Sequence, residues 1–278
     1  MADHQVQLGV VAPALSVVYR FGFASLALFA FCATRRIRHR FSLRDHASFA
    51  AIGILQYALN YVLLYLSEEH LTSGLVAVVY VLVLVWNLAG TRLVFGTPML
   101  PSIAIGASIG VVGVTLVFWP EISRLRAPGQ SLGIALAVLG TLVTSAGNVW
   151  SQRLYGRGVA VVPSTAWSML YGTLAVAVYC AIRGIPFSFD CRLSYVASLT
   201  YLSIFGSVVA FVSFLTLLAR IGAGRAGYVA VSVPVLAMAM STVFEGYRAS
   251  ALALSGMSLV LVGNALMLRG DPRSRGAR

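Results

Sequence analysis

Long apolar segments separated by short polar ones cover most of this 278-residue chain. A helix of about 20 residues crosses a bilayer core of about 30 Å. Nine apolar segments are long enough, near residues 10–32, 47–66, 72–95, 101–119, 131–151, 164–183, 194–219, 226–244 and 249–268. The connections between them are short and leave no room for a soluble domain. The pattern predicts an all-α polytopic membrane protein with nine transmembrane helices.

Glycines recur along the chain at a constant offset of 150 residues. Of the nine glycines within residues 1–119, five have a counterpart, whereas about one match is expected by chance at 26 Gly in 278 residues. The glycine pairs are Gly22/Gly172, Gly74/Gly224, Gly96/Gly246, Gly106/Gly256 and Gly113/Gly263, and Pro13 pairs with Pro163. A fixed period indicates an internal repeat. Duplicated hydrophobic bundles are typical of membrane transporters.

The repeat divides the chain into two halves and a tail. We predict a first repeat of four helices over residues 1–119, a second of five over 131–268, and a basic cytoplasmic tail over 269–278. The counterpart of the helix at 131–151 would precede Met1, so we expect a ten-helix ancestor of which these residues are an N-terminally short version. A repeated unit of five helices enters the membrane from opposite sides, which predicts inverted repeats.

The distribution of charge predicts orientation. The chain is 59% hydrophobic and 10% charged, with a net charge of +12 that would by itself suit a nucleic-acid-binding protein. All twenty basic residues are Arg. With the C-terminus taken as cytoplasmic, fourteen arginines fall on the cytoplasmic side and five on the other, while Arg20 lies within a span. This is the positive-inside bias, so we predict a cytoplasmic C-terminus and no nucleic-acid partner.

Residues that carry chemistry are scarce inside the spans. The three Cys are scattered without metal-ligand spacing, and the four His lie in the N-terminal tail or in loops. None of the eight acidic residues lies deep in a span. These observations argue against an intramembrane enzyme, and we predict no catalytic residue, no metal and no cofactor. The sequence also lacks a nucleotide-binding motif, so a transport activity would be driven by a gradient.

Two polar stripes run along predicted helices. The first is formed by Thr141, Thr144, Ser145, Asn148 and Gln152, and the second by Tyr57, Asn60, Tyr61 and Tyr65. Their spacing places each stripe on one helix face, and in hydrocarbon such a face should meet protein or a cavity. We predict five substrate-binding residues from them: Tyr57, Asn60, Tyr61, Thr144 and Asn148. The alternatives are hydroxyls that bond within their own helix and, for Tyr65, an interfacial aromatic belt.

Four further residues complete the candidate substrate site. Tyr80 and Asn87 share one face of the third span, and Ser207 lies in the seventh. Arg20 is the only basic residue well inside a span, where an ionisable side chain is functional by default. For Arg20 a structural contact with carbonyls of neighbouring helix ends is the alternative. The small residues Gly106, Gly110, Gly113, Gly256 and Gly263 predict close helix packing rather than a binding site.

Several short motifs give the chain a resemblance to a known family. They are Tyr19-Arg20-Phe21 after Pro13, the basic loop Arg35–Arg44, Leu71-Thr72-Ser73-Gly74, Phe244-Glu245, and the glycines Gly256 and Gly263 of the last helix. With these motifs the chain resembles the EamA-type members of the drug/metabolite transporter superfamily. The resemblance covers essentially the whole chain but lacks the first family helix. It implies two inverted halves and movement of small metabolites such as amino acids.

We therefore expect a secondary transporter in a bacterial inner membrane. It would export amino-acid-like solutes by alternating access, with a midplane site between the repeats. A non-transporting integral membrane component or a decayed paralogue is the alternative. The expected partners are a small-molecule substrate and the lipid bilayer, and pairing of two copies as a homodimer stays open.

Overall fold

Helices make up the described part of this computed structural model, which covers residues 11–37, 41–97, 101–117, 119–122, 129–229, 231–232 and 251–269. We number the longer helices α1 (Pro13–Thr34), α2 (Leu43–Glu68), α3 (Ser73–Tyr80 and Leu82–Phe95), α4 (Pro101–Val117), α5 (Gln130–Tyr155), α6 (Val161–Ile182), α7 (Leu193–Ile221) and α8 (Ala251–Arg269). Six of them, α1, α2, α3, α5, α6 and α7, are long and apolar enough to cross a membrane. The described ranges contain no strand.

The hydropathy pattern predicted these helices with small errors at their ends. Helix α2 begins at Leu43, a little before the predicted residue 47, because Ser42 and Asp45 form a reciprocal capping box. Helix α5 runs on to Tyr155, and the chain then turns at Gly158, whose φ of 82° suits glycine. Most of the predicted span 226–244 and nearly all of the tail 269–278 lie outside the described residues.

The chain divides into two compact units. The first unit comprises residues 1–65 and 146–221, and the second comprises 66–145 and 222–278. Each unit therefore takes segments from both halves of the sequence.

In the first unit, α1 packs along α6. Phe21 is fully buried in the shared core with Met169, and Ser25 donates a hydrogen bond of 2.9 Å to the carbonyl of Ala166. A β-carbon added at Gly172 would lie 2.7 Å from the carbonyl oxygen of Gly53, so the backbones of α2 and α6 are already in contact. Small residues thus let helices approach where burial of apolar surface gives little driving force in lipid.

In the second unit, α4 and α8 make the corresponding close packing. A β-carbon added at Gly113 would lie 2.7 Å from the carbonyl oxygen of Gly256, and one at Gly263 would lie 2.7 Å from that of Gly106. Gly110 faces Val231, whose methyl carbon would be 3.1 Å from an added β-carbon. These contacts confirm the prediction that the glycines of both helices serve close packing.

Candidate functional site

Two helices of the first unit contain a π-helical segment at related positions. The segments are Gly53–Leu59 in α2 and Ile204–Val209 in α7, which agrees with the 150-residue offset of the glycine pairs. A π-helical turn bonds residue i to i+5 and interrupts the regular ladder, and such turns are frequent at functional sites. The interrupted ladder leaves carbonyl groups that side chains of other helices can contact.

Arg20 of α1 bonds to the π-helical segment of α7. Its Nε donates to the hydroxyl of Ser207 at 2.7 Å, and its Nη2 donates to the carbonyl of Gly206 at 2.9 Å. A β-carbon at Gly206 would lie 3.2 Å from that Nη2, so glycine leaves room for the guanidinium. The structure thus joins two predicted site residues, Arg20 and Ser207. It also shows a contact with a backbone carbonyl, although in the interior of α7 and not at a helix end as the sequence alternative had it.

Two aromatic rings lie close to the guanidinium group of Arg20. The guanidinium carbon lies 5.4 Å from the ring centre of Phe21 and 5.7 Å from that of Tyr61, within the range of cation–π attraction. Phe21 also packs on Tyr57 and on Tyr61, with ring centres 5.1 Å and 4.9 Å apart. Tyr57 is fully buried in this cluster, and its hydroxyl has no hydrogen-bond partner within the described part of the chain. The structure therefore places Tyr57 in packing and Tyr61 against the arginine.

A cavity of about 130 Å³ lies beside Arg20 in the first unit. Its lining consists of Ser16, Arg20, Tyr65, Tyr195, Ser198, Leu199 and Leu202. Ser16 and Tyr195 are linked by a 3.2 Å hydrogen bond across the α1–α7 contact. The wall is thus mostly hydroxyl-bearing, with one cation and an apolar side made by two leucines.

Among the residues that line this cavity, the sequence analysis selected Arg20 alone as a candidate site residue. Tyr65 was recognised only as the end of a stripe that an interfacial belt also explains. Tyr195 and Ser198 belong to α7. No sequence pattern around them identifies them as cavity-lining residues, because hydroxyl-bearing residues are common near the start of a span. They line the cavity because α1 packs against α7, and the sequence does not specify that contact.

A buried amide pair forms a second polar feature of the first unit. Nε2 of Gln56 donates a 2.8 Å hydrogen bond to Oδ1 of Asn148, and both side chains are buried. Gly147 makes the approach feasible, because a β-carbon there would lie 2.5 Å from Cγ of Gln56. Asn148 was predicted as a site residue, whereas Gln56 was overlooked. A lone amide in an apolar span was the signal that could have found it.

The other predicted residues are dispersed. Thr144 donates to the carbonyl of Gly140 in its own helix at 2.9 Å, which is the packing alternative for that position. Asn60 is buried in α2. In the second unit Asn87 is fully buried. A β-carbon added at Gly227 would lie 3.1 Å from Nδ2 of Asn87. Tyr80 lies on α3 and is half-buried.

Comparison with known proteins identifies the family. The EamA-like transporter family profile matches residues 5–119 and 131–269. The chain belongs to the EamA-like transporter family. It is 25% identical over 269 residues to the uncharacterized inner membrane transporter YedA of Escherichia coli strain K12, covering 95% of this chain and 85% of that protein. An uncharacterized transporter of Archaeoglobus fulgidus is 22% identical over 232 residues, covering 83% and 80% of the two chains.

A solved structure shares the fold. A crystal structure of a protein with 17% sequence identity superposes with a TM-score of 0.80, covering 96% of this chain and 92% of that one. The family, the named transporters among the relatives and the apolar helices indicate a multi-pass inner-membrane transporter. The predicted membership of the EamA group is thereby confirmed.

Proposed function

We propose that this EamA-like protein is a secondary transporter that exports small organic metabolites of amino-acid-like chemistry by alternating access. The observation that carries the proposal is the cluster around Arg20, which combines a cation, aromatic rings and hydroxyls within the apolar helices. Small-molecule sites combine aromatic side chains with polar groups that converge on the ligand and fix its orientation. A charged side chain within a membrane span is energetically costly, and such residues mark functional sites by default.

The proposed mechanism rests on the inverted repeat. Helices α1 and α2 derive from the first half of the sequence and α6 and α7 from the second, and all four contribute to the first unit. Two halves of opposite orientation can exchange conformations, which exposes a site between them to each side of the membrane in turn. Since the sequence has no nucleotide-binding motif, we propose that a gradient drives the cycle.

The proposed substrate-binding residues are those of the sequence analysis. Within the first unit they are Arg20, Tyr57, Asn60, Tyr61, Asn148 and Ser207, and within the second Tyr80, Asn87 and Thr144. The amides would fix polar groups of the solute, and the tyrosines would cover its apolar part. The packed ring of Tyr57 fits a supporting role better than direct contact.

The test is an efflux screen with site variants. Cells that overexpress the protein are challenged with inhibitory amino acids and their analogues, and efflux is measured per amount of folded protein. We expect Asn60→Ala and Asn148→Ala to lower efflux at least tenfold, equivalent to about 1.4 kcal/mol. Tyr61→Phe should lower it less than Tyr61→Ala, because phenylalanine keeps the ring beside the guanidinium of Arg20.

Ser108→Ala is the matched control for these variants. Ser108 is exposed on α4 and donates to the carbonyl of Ala104 in its own helix at 3.0 Å, so its loss should leave efflux unchanged. No efflux of any compound by the parent would contradict the proposal and favour a non-transporting membrane component. Efflux by both amide variants at the parent rate would retain transport and refute the assigned site.

A further inference from the structure

We propose that the cavity beside Arg20 binds the carboxylate group of the transported solute. The inference rests on the proposed transport function and names the chemical class of its substrate. It concerns the seven lining residues of the first unit, here called the Arg20 cavity: Ser16, Arg20, Tyr65, Tyr195, Ser198, Leu199 and Leu202.

The charge of Arg20 is the first argument. The ion pairs found among the described residues are Arg157 with Asp45 and Arg192 with Asp190, and neither involves Arg20. Its bonds go to a hydroxyl and a carbonyl, which are dipoles and do not cancel a positive charge. Arginine remains protonated in proteins. A small anion is therefore the ligand that would balance the charge.

The remaining hydrogen-bond donors are the second argument. A guanidinium has five N–H donors in a planar fork that matches a carboxylate. The bonds to Ser207 and Gly206 use two of them and hold the group in place. Ser16 and Tyr195 share one hydrogen bond, which uses the O–H of one of them. The other hydroxyl of that pair and the hydroxyl of Ser198 line the same cavity and are able to donate to a second carboxylate oxygen.

The size of the cavity is the third argument. A cavity of about 150 Å³ is large enough to hold benzene, and this one measures about 130 Å³. It can therefore hold a carboxylate and a short chain of carbons. Leu199 and Leu202 form the apolar side that such a chain would contact.

A purely structural role explains only part of this arrangement. Anchoring of α1 to the π-helical segment of α7 accounts for the bonds of Arg20 to Gly206 and Ser207. It does not account for a cavity that three serine and tyrosine residues of α1 and α7 line together with the same arginine. A site specific for an anion requires such a set of polar groups around a cationic side chain that is held in place.

The experiment measures binding of a carboxylate and of its neutral isostere. Purified protein in phosphatidylcholine nanodiscs is titrated with 4-methylpentanoate and with 4-methylpentanamide at constant ionic strength. Binding is obtained from the rise in unfolding temperature, which grows with ligand concentration over Kd. We expect the amide to bind at least tenfold more weakly than the carboxylate, because only the carboxylate compensates the charge of Arg20.

Two substitutions of one residue provide the sharper comparison. Ser198 is exposed and lines the cavity. Ser198→Asp places a carboxylate beside Arg20 and should abolish binding of 4-methylpentanoate. Ser198→Asn keeps the shape and a hydrogen-bond donor without the charge, so it should raise Kd at least tenfold less than Ser198→Asp does. Arg20→Gln should also abolish binding, and the Ser198 pair keeps the test valid if Arg20→Gln fails to fold.

Each other outcome overturns the assignment. No saturable binding of 4-methylpentanoate by the parent, equal binding of acid and amide, or equal behaviour of the two Ser198 variants would exclude a carboxylate site. Loss of binding in phosphatidylglycerol nanodiscs that persists at high salt, where surface repulsion is screened, would assign the cavity to an anionic lipid headgroup instead. Arg20-dependent binding without efflux would refute the transport function alone, whereas efflux without such binding would refute this site alone.

Discussion

Adding one methyl group at the contact of α4 and α8 should destabilise the protein measurably. The change is Gly256→Ala in the second unit. The new β-carbon would lie 2.5 Å from the carbonyl oxygen of Gly113 and 2.9 Å from the backbone nitrogen of Val117. Both obstacles are backbone atoms of α4, so no side chain can rotate away. The helices must separate by about 1 Å, because ordinary contacts begin near 3.4 Å.

The expected cost follows from overpacking in tightly packed cores, which is about 1–3 kcal/mol. For a chain of this size each kcal/mol lowers the unfolding temperature by about 2–4 °C. The intrinsic preference of alanine over glycine in a helix opposes the loss by up to about 1 kcal/mol. We therefore expect Gly256→Ala to unfold several degrees below the parent in a thermal-unfolding measurement in detergent.

The matched control is Gly22→Ala in α1 of the first unit. Its added β-carbon would lie 3.6 Å from the methyl carbon of Thr173, which is an ordinary contact. Gly22→Ala should therefore unfold at or above the temperature of the parent. The reasoning is refuted if Gly256→Ala is as stable as the parent, or if both variants lose the same amount. Normal stability with altered substrate choice would mean that these glycines line a path.

Two further predictions concern the amide pair and the orientation. Gln56→Leu or Asn148→Leu alone should lower stability by about 0.6–2 kcal/mol, because each leaves a buried amide without its partner. The double variant should cost less than the sum of the two in a thermal double-mutant cycle, and strict additivity would contradict the coupling. A reporter that is active only in the periplasm should be silent when fused after Arg278, since the arginine bias predicts a cytoplasmic C-terminus. Reporter activity there would reverse the orientation.

The sequence predicted the helices because hydrophobic length alone determines where a chain can span a bilayer. Helices α1 to α8 all fall on predicted segments, with end errors where a cap such as Ser42 extends the helix. The close packing of Gly113 with Gly256 was also predictable, since small residues at helical spacing have few other uses in lipid. Most of the span 226–244 lies outside the described residues.

The candidate site was less predictable because it depends on which helices meet. Arg20 and Ser207 were both selected from the sequence, but their 2.7 Å bond was not expected. The bond joins α1 to the π-helical segment of α7, and the sequence does not specify which helices meet. Gln56 was missed because the sequence analysis selected sets of polar residues that share one helix face. A single amide in an apolar span does not form such a set.

The two π-helical segments suggest how one duplicated scaffold acquired different chemistry. Gln56 and Gly206 are separated by the same 150 residues as the five glycine pairs, and each lies within its segment. At the first segment a neutral amide pairs with Asn148, whereas at the second a glycine admits the guanidinium of Arg20. Arg20 itself corresponds to Leu170, so only one half carries the charge. A backbone pattern common to both halves thus carries an asymmetric pair of polar features, and the cationic one adjoins a cavity lined by hydroxyls.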